Sequence, residues 1–409
     1  MQTTISGAAA LTKSGSGLVV FVTTGNYTGG TTVSQGILRS TPNNTQNVFG
    51  SGDISIASGA TLQFRATFTN TIVTSNVISG EGLVSVIGNA ATAVQVLSGA
   101  NTYNGTTTVG SGVLNIRNDT ALGSTAGGTA VVAGAALQLQ NNITVGAETL
   151  GLYGTGISND GALRNINGNN TYGGLITVGS ATRINSDAGT LTLSNNGTIT
   201  GATFGLTVGG AGNTTIASAI GTTSGTLTKD GAGTLTLTGA NTYTGATTVS
   251  AGTMIVSGTL ANTSGVTVSG GTLQLGAADR INNSATMTLS GGTFNASTFT
   301  DSLGALTLSG NSFISLGSGA AIAFANSSAS AWGASFTIDL TGFVPGSSLR
   351  FGTDASGLTG AQLAQFTATG FSSFGLDSAG YLTAVPEPAT WALMAFSLTT
   401  VMVLRRRRA

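Results

Sequence analysis

The side chains in this 409-residue chain with enough chemistry to build a site are its acids, four recurrent tyrosines and two matching lysines. A glycoside-cleaving centre needs a pair of carboxylates about 5–10 Å apart. The acids ahead of the C-terminal stretch are Asp53, Glu81, Asp119, Glu148, Asp160, Asp187, Asp230, Asp279, Asp301, Asp339, Asp354 and Asp377, and no two lie within ten positions. A fold that stacks distant segments could still pair them, and Asp279 with Asp301, 22 positions apart, suits such stacking best. Otherwise an isolated Asp in a glycine-rich turn reads as a turn residue. Histidine and cysteine are absent. That removes the commonest general base and metal ligand, so no catalytic centre, metal or cofactor is expected.

Tyr27, Tyr103, Tyr172 and Tyr243 follow Asn-containing turns and recur at a spacing of roughly 70 positions. A column of such rings could contact glycan, although packing over the neighbouring turn with the hydroxyl at the surface is the simpler role. Lys13 and Lys229 hold equivalent places in LTKSG and LTKDG and read as solvated corners. Neither lysine stands in a glycine-rich phosphate loop, and no calcium-binding Gly-Gly-x-Gly-x-Asp turn is present. Residues 1–384 carry 9 basic and 12 acidic side chains, about −3, so a nucleic-acid surface is not expected.

These residues sit in a text of short alternating runs. The best-preserved unit is LTKDGAGTLTLTGANTYTGATTVSAGTMIVSG, residues 227–258, with relatives at 11–40 and 83–117. A second element recurs as GATLQF at 59–64, GAALQL at 134–139 and GGTLQL at 270–275. Both report a period near 70, which suits three coils of roughly 23 residues each. With 64 glycines, 6% charged residues and abundant Thr and Val, short strands joined by tight turns are expected. The fold class is therefore all-β, a right-handed parallel β-helix or β-solenoid over residues 1–301. Alternate Leu, Val and Ile point inward, Gly and Asn stand at the corners, and each strand pairs in parallel with its copy one coil away.

From 302 to 384 phenylalanine becomes frequent, Trp332 and Pro345 interrupt the rhythm, and 360–366 is a helical candidate. This stretch is expected to be a C-terminal β cap or small β domain closing the open strand edge. Residues 385–409 change composition abruptly. Pro386-Glu387-Pro388 is followed by an uncharged run, Trp391 to Leu404, and then by Arg405, Arg406, Arg407 and Arg408. This reads as one short transmembrane helix of about 21 Å with a cytoplasmic basic end. The N-terminus, MQTTISGAAALTKSG, opens inside a repeat without a charged region leading into an apolar core, so an upstream start with an export signal is expected.

The repeats resemble the autotransporter-associated β-strand repeat, also called the passenger-associated transport repeat, of bacterial surface and secreted β-helical proteins. The tail resembles the PEP-CTERM sorting signal, in the order tripeptide, apolar helix, basic end. The second resemblance implies recognition by an exosortase, a membrane-embedded cysteine protease, in an exopolysaccharide-producing host. Together they imply an exported, non-enzymatic envelope or matrix protein serving surface structure or adhesion, membrane-held through its tail before processing, with exopolysaccharide as a further partner. The alternative is a carbohydrate-active or glycan-binding β-helix whose site lies on one parallel sheet.

Overall fold

A computed structural model describes residues 5–42, 47–66, 71–88 and 93–387. The chain divides into two compact units, Met1–Gly245 and Ala246–Ala409. Both are built from parallel β-coils.

In the first unit one sheet of ten strands runs from Leu18–Phe21, through Thr61–Ala66, Leu83–Gly88, Thr107–Val109 and Thr129–Val131, to Ala219–Gly221. Register partners give the coil length directly: Val84 pairs with Thr107, Thr107 with Thr129, and Thr129 with Leu150. Each step along the sheet is therefore one coil, close to a third of the sequence period. One coil is longer, with Leu150 paired to Ile176, because it accommodates the excursion that contains the short 3-10 turn Ile157–Asn159.

Alternation drives the stacking. Thr61–Ala66 and Thr190–Leu193 each bury every second residue, Leu62, Phe64 and Ala66 in one and Leu191 and Leu193 in the other. Outward positions form rows of hydroxyls. Thr171, Thr192, Thr215 and Thr236 are successive register partners in the first unit, as Thr248, Thr267, Thr288 and Thr307 are in the second. β-Branched residues suit both faces, and the outer face gains polarity without charge. At one corner Gly168, Gly189, Gly210 and Gly231 recur once per coil with φ of 82°, 74°, 103° and 68°. This left-handed conformation favours glycine, and a Cβ at Gly210 would overlap the Ser186 carbonyl of the preceding coil.

In the second unit the coils run across position 302 without a break. Thr300–Leu303 pairs in parallel with Ala321–Phe324, which pairs with Leu349–Phe351; Ser312–Ser315 likewise precedes Ile338–Thr341 and Phe366–Thr367. Residues 302–384, expected as a cap or separate domain, therefore begin as further coils. Their rhythm is hard to read because these coils are longer, as the pairing of Ile322 with Leu349 shows. Helix Gly360–Leu363 forms within the expected 360–366 stretch, started by a reciprocal capping box between Thr359 and Gln362.

An antiparallel pair, Phe371–Leu376 with Leu382–Pro386, follows the last coil. The frequent phenylalanines join these parts. Phe351 stacks on Phe324 at 5.3 Å and contacts Phe366 at 5.8 Å, and Phe366 meets Phe374 of the antiparallel pair at 5.9 Å. Among the described residues no helix is long and apolar enough to cross a membrane. The expected transmembrane helix, Trp391 to Leu404, lies outside the described residues.

Inward and outward positions should respond oppositely to the same charge. Val249 is fully buried and Thr248 beside it faces out. Val249→Asp is expected to cost several kcal/mol, as an unpaired buried carboxylate does, and Thr248→Asp less than about 1. Denaturant unfolding of the two variants against the parent chain measures this.

Candidate functional site

The Asn-Thr-Tyr turns join coil to coil. Asn101, Asn170 and Asn241 are buried, and each accepts through its Oδ1 the main-chain N–H of an isoleucine in the preceding coil: Ile78 at 2.9 Å, Ile143 at 2.8 Å and Ile220 at 2.9 Å. Asn101 also donates to the Ala121 carbonyl of the following coil, 2.6 Å away, so one side chain ties three coils together. The first copy lacks this clip. It has no Thr between Asn and Tyr, so Gly25 stands two positions before Tyr27 and Asn26 is exposed.

Tyr27, Tyr103, Tyr172 and Tyr243 are at most 1% exposed. The column expected to offer rings for glycan contact is therefore inside the coils, and no ring face meets solvent. The expectation of a hydroxyl at the surface fails for the same reason. Tyr27 and Tyr103 share a hydrogen bond of 2.6 Å with the hydroxyl four positions on, Thr31 and Thr107 respectively. A glycine roofs each ring: Gly50 and Gly123 lie over Tyr27 and Tyr103, and the following Ser51 and Ser124 donate their N–H to the tyrosine carbonyls. These Gly-Ser pairs, each one coil after its tyrosine, were a legible but unused sign that the rings are covered.

The third copy breaks the pattern and creates a polar cluster in the core. Ile176 replaces the threonine four positions after Tyr172, and among the described residues the buried Tyr172 hydroxyl has no hydrogen-bond partner. Close by, Glu148 is 3% exposed and accepts a 2.7 Å hydrogen bond from Thr129 Oγ1. Burial raises the Glu148 carboxyl to about 7, against the smaller opposing effect of the Thr129 hydroxyl. Burial also raises Tyr103 and holds Tyr172 well above the usual phenol range, and the Glu148 charge adds to both. Sequence spacing marked Glu148 only as an isolated acid.

Lys13 and Lys229 are corrections as well. Both are buried, at 5% and 2% exposure, and are not solvated corners. Each ammonium turns back under its own turn: Lys13 Nζ donates to the carbonyls of Ser14, Gly15 and Gln35, and Lys229 Nζ to those of Asp230 and Gly231. The cation satisfies corner carbonyls that the strand ladder leaves over, and Gly15 and Gly231, two positions on, turn the chain there with φ of 80° and 68°. Arg183 holds Asp230 through two contacts of 2.6 and 2.8 Å, and Arg164 holds Asp187 at 2.8 Å.

Stacking does bring Asp279 and Asp301 to one place. They line a cavity of about 240 Å³ in the second unit. Asp301 is 2% exposed, and its carboxylate accepts the main-chain N–H groups of Arg280, Ile281 and Ser302 at 3.0, 3.2 and 2.8 Å. Burial raises it to about 6, opposed by these bonds, with Asp279 adding a smaller upward push. Both Asp301 oxygens are committed to the backbone, so the pair makes a fixed corner and an exposed acid, not a matched acid and base. Among the described residues no cluster could hold a metal ion.

Four segments match the model of the passenger-associated-transport-repeat: residues 11–39, 92–116, 186–204 and 227–256. Three are the units read from the sequence; the fourth, 186–204, was not singled out. Neither the curated proteins nor the solved structures contain a match. Repeats of this family on parallel coils fit an exported, surface-associated repeat protein. Of the tail, Pro386 ends the last strand and Glu387 donates its N–H to the Gly370 carbonyl, while Pro388 and Arg405 to Arg408 lie outside the described residues.

Two outcomes follow from the cluster. Tyr172→Phe removes an unpaired hydroxyl and is expected to stabilise the chain by about 1 kcal/mol or more, whereas Tyr103→Phe breaks a made bond and should cost about 1, both read from denaturant midpoints. Glu148 binds its proton more tightly folded than unfolded between about pH 4.5 and 7. Its contribution to stability is therefore fully present below that window and lost as pH rises through it. Glu148→Gln should accordingly gain melting temperature over the parent from pH 4.5 to 7, with a constant gap above.

Proposed function

We propose that this chain is a non-enzymatic β-solenoid of the bacterial envelope or extracellular matrix, serving surface structure or adhesion, and that an exosortase sorts it through its C-terminal tail. One observation carries the non-enzymatic reading. The four recurrent tyrosines, both matching lysines, Glu148 and Asp301 are turned into the coils, Lys13 and Asp301 being spent on corner main chain, while the faces present rows of uncharged hydroxyls. The transport-repeat segments support export, and the order of tripeptide, apolar run and arginine block supports the sorting route. Processing near the tripeptide would separate the coils from the membrane segment, with the exopolysaccharide layer as their surroundings.

Replacing Pro386-Glu387-Pro388 by alanines, or deleting Arg405 to Arg408, is expected to leave an unprocessed precursor in the native host. Intact-mass measurement of the mature protein checks this, and a mass unchanged from the parent's would count against the sorting route. Incubation of the whole chain with neutral and acidic polysaccharides should release no reducing ends.

A further inference from the structure

The cavity beside Asp279 continues past Arg350, a cation that among the described residues has an aromatic ring beside it but no hydrogen bond or ion pair. Thr300–Leu303, Ala321–Phe324 and Leu349–Phe351 form a three-stranded parallel sheet in which Ser302, Ala323 and Arg350 are register partners. Ile322, Phe324, Leu349 and Phe351 point into the core, so Ala321 and Ala323 face outward and leave the middle of the sheet low. On one side of Arg350 lies the cavity of about 240 Å³, reaching Asp279 and Tyr381; on the other lies one of about 350 Å³, reaching Asn326 and Asp354. Ser302, Ala323 and Arg350 line both, so the two form one groove across the sheet.

Arg350 is half-buried, and among the described residues its guanidinium makes no hydrogen bond and no ion pair. It lies over the Tyr381 ring, 5.9 Å from the centroid, which presets its plane. Five N–H donors are thus held at the middle of the groove. Carboxylate acceptors stand at its two ends. Asp279 is exposed, and Asp354, whose carboxylate takes the Ser356 hydroxyl and N–H, is held below the usual carboxylate range by those bonds.

We propose that this groove is a binding site for a neutral oligosaccharide, with Arg350 as the central donor, Asp279 and Asp354 as flanking acceptors and Ala321 and Ala323 as the floor. The class of ligand follows from the charge. Two exposed carboxylates, those of Asp279 and Asp354, stand in the groove against one guanidinium, while Asp301 is turned to the inner face, so a uronate or phosphate group would meet net repulsion. A cation would leave Arg350 unmatched. A neutral sugar, whose hydroxyls both donate and accept, matches donors at the centre and acceptors at the ends. The combined space lies in the range of small-ligand sites. The site uses no residue of the sorting tail and stands or falls separately from the export route.

The test is titration calorimetry of the whole chain with maltohexaose, cellohexaose and mannohexaose, and with hexagalacturonate as the anionic arm. At least one neutral hexamer is expected to bind, and more tightly than hexagalacturonate. Arg350→Ala should weaken it at least about tenfold, as loss of charge-assisted hydrogen bonds does, and Arg350→Lys should not restore it because the planar fork is lost. Ala323→Phe fills the floor from the outer face and should abolish binding with an unchanged melting temperature, which keeps the test open if the arginine variants fold poorly. Failure of all three neutral hexamers to bind, tighter binding of hexagalacturonate, or full affinity in Ala323→Phe would overturn the site.

Discussion

Every coil of this protein must turn corners, and at each corner main-chain N–H and C=O groups leave the strand ladder. Such groups need partners. The buried asparagines answer that need most economically: Asn101 accepts from the coil before and donates to the coil after, and Asn170 and Asn241 repeat the first half of that bond. Lys13 and Lys229 answer it with an ammonium under the turn, and Asp301 with a carboxylate over three N–H groups. The corners therefore take up both matching lysines and Asp301, residues that in another fold would be read as a site.

The same constraint explains where the interior is imperfect. A tyrosine can be stacked inside a coil when its hydroxyl has a threonine four positions on and a glycine covers its ring, as for Tyr27 and Tyr103. At Tyr172 the threonine is an isoleucine, and the neighbouring coil brings in Glu148, so an unpaired hydroxyl and a raised carboxyl share the core. The outer faces carry no comparable demand. Threonine rows satisfy the pleat and solvent together, which is how a chain that is only 6% charged keeps a polar exterior.

Much of the fold was legible in the sequence because one period wrote itself three or four times. Two separate motifs reported the same long repeat, and the register steps from Val84 to Thr107, Thr129 and Leu150 are close to its thirds. Legibility ended where coil length changed. The longer coils after residue 302, in which Ser312 pairs with Ile338 and Ile338 with Phe366, obscure a rhythm that parallel pairing nevertheless continues to Thr367. The site was less legible. Coil spacing alone pairs Asp279 with Asp301, but Arg350, Tyr381 and Asp354 carry no motif: Arg350 and Asp354 share one strand and the turn after it, Tyr381 joins them by an antiparallel bridge to Arg350, and the stacked strands set them beside Asp279.

The sequence by itself determined the coil, its inward alternation and its corner residues, since these are local or periodic and each copy repeats the instruction. Cover and partners were decided by the tertiary structure. What covers a buried tyrosine or completes the partners of a buried lysine or aspartate depends on what the next coil places above it, as Gly50 over Tyr27 or the Gln35 carbonyl at Lys13. That neighbour is a whole coil away along the chain and one strand spacing away in space, so alternation in a residue's own strand gives its face but not its cover or its partners.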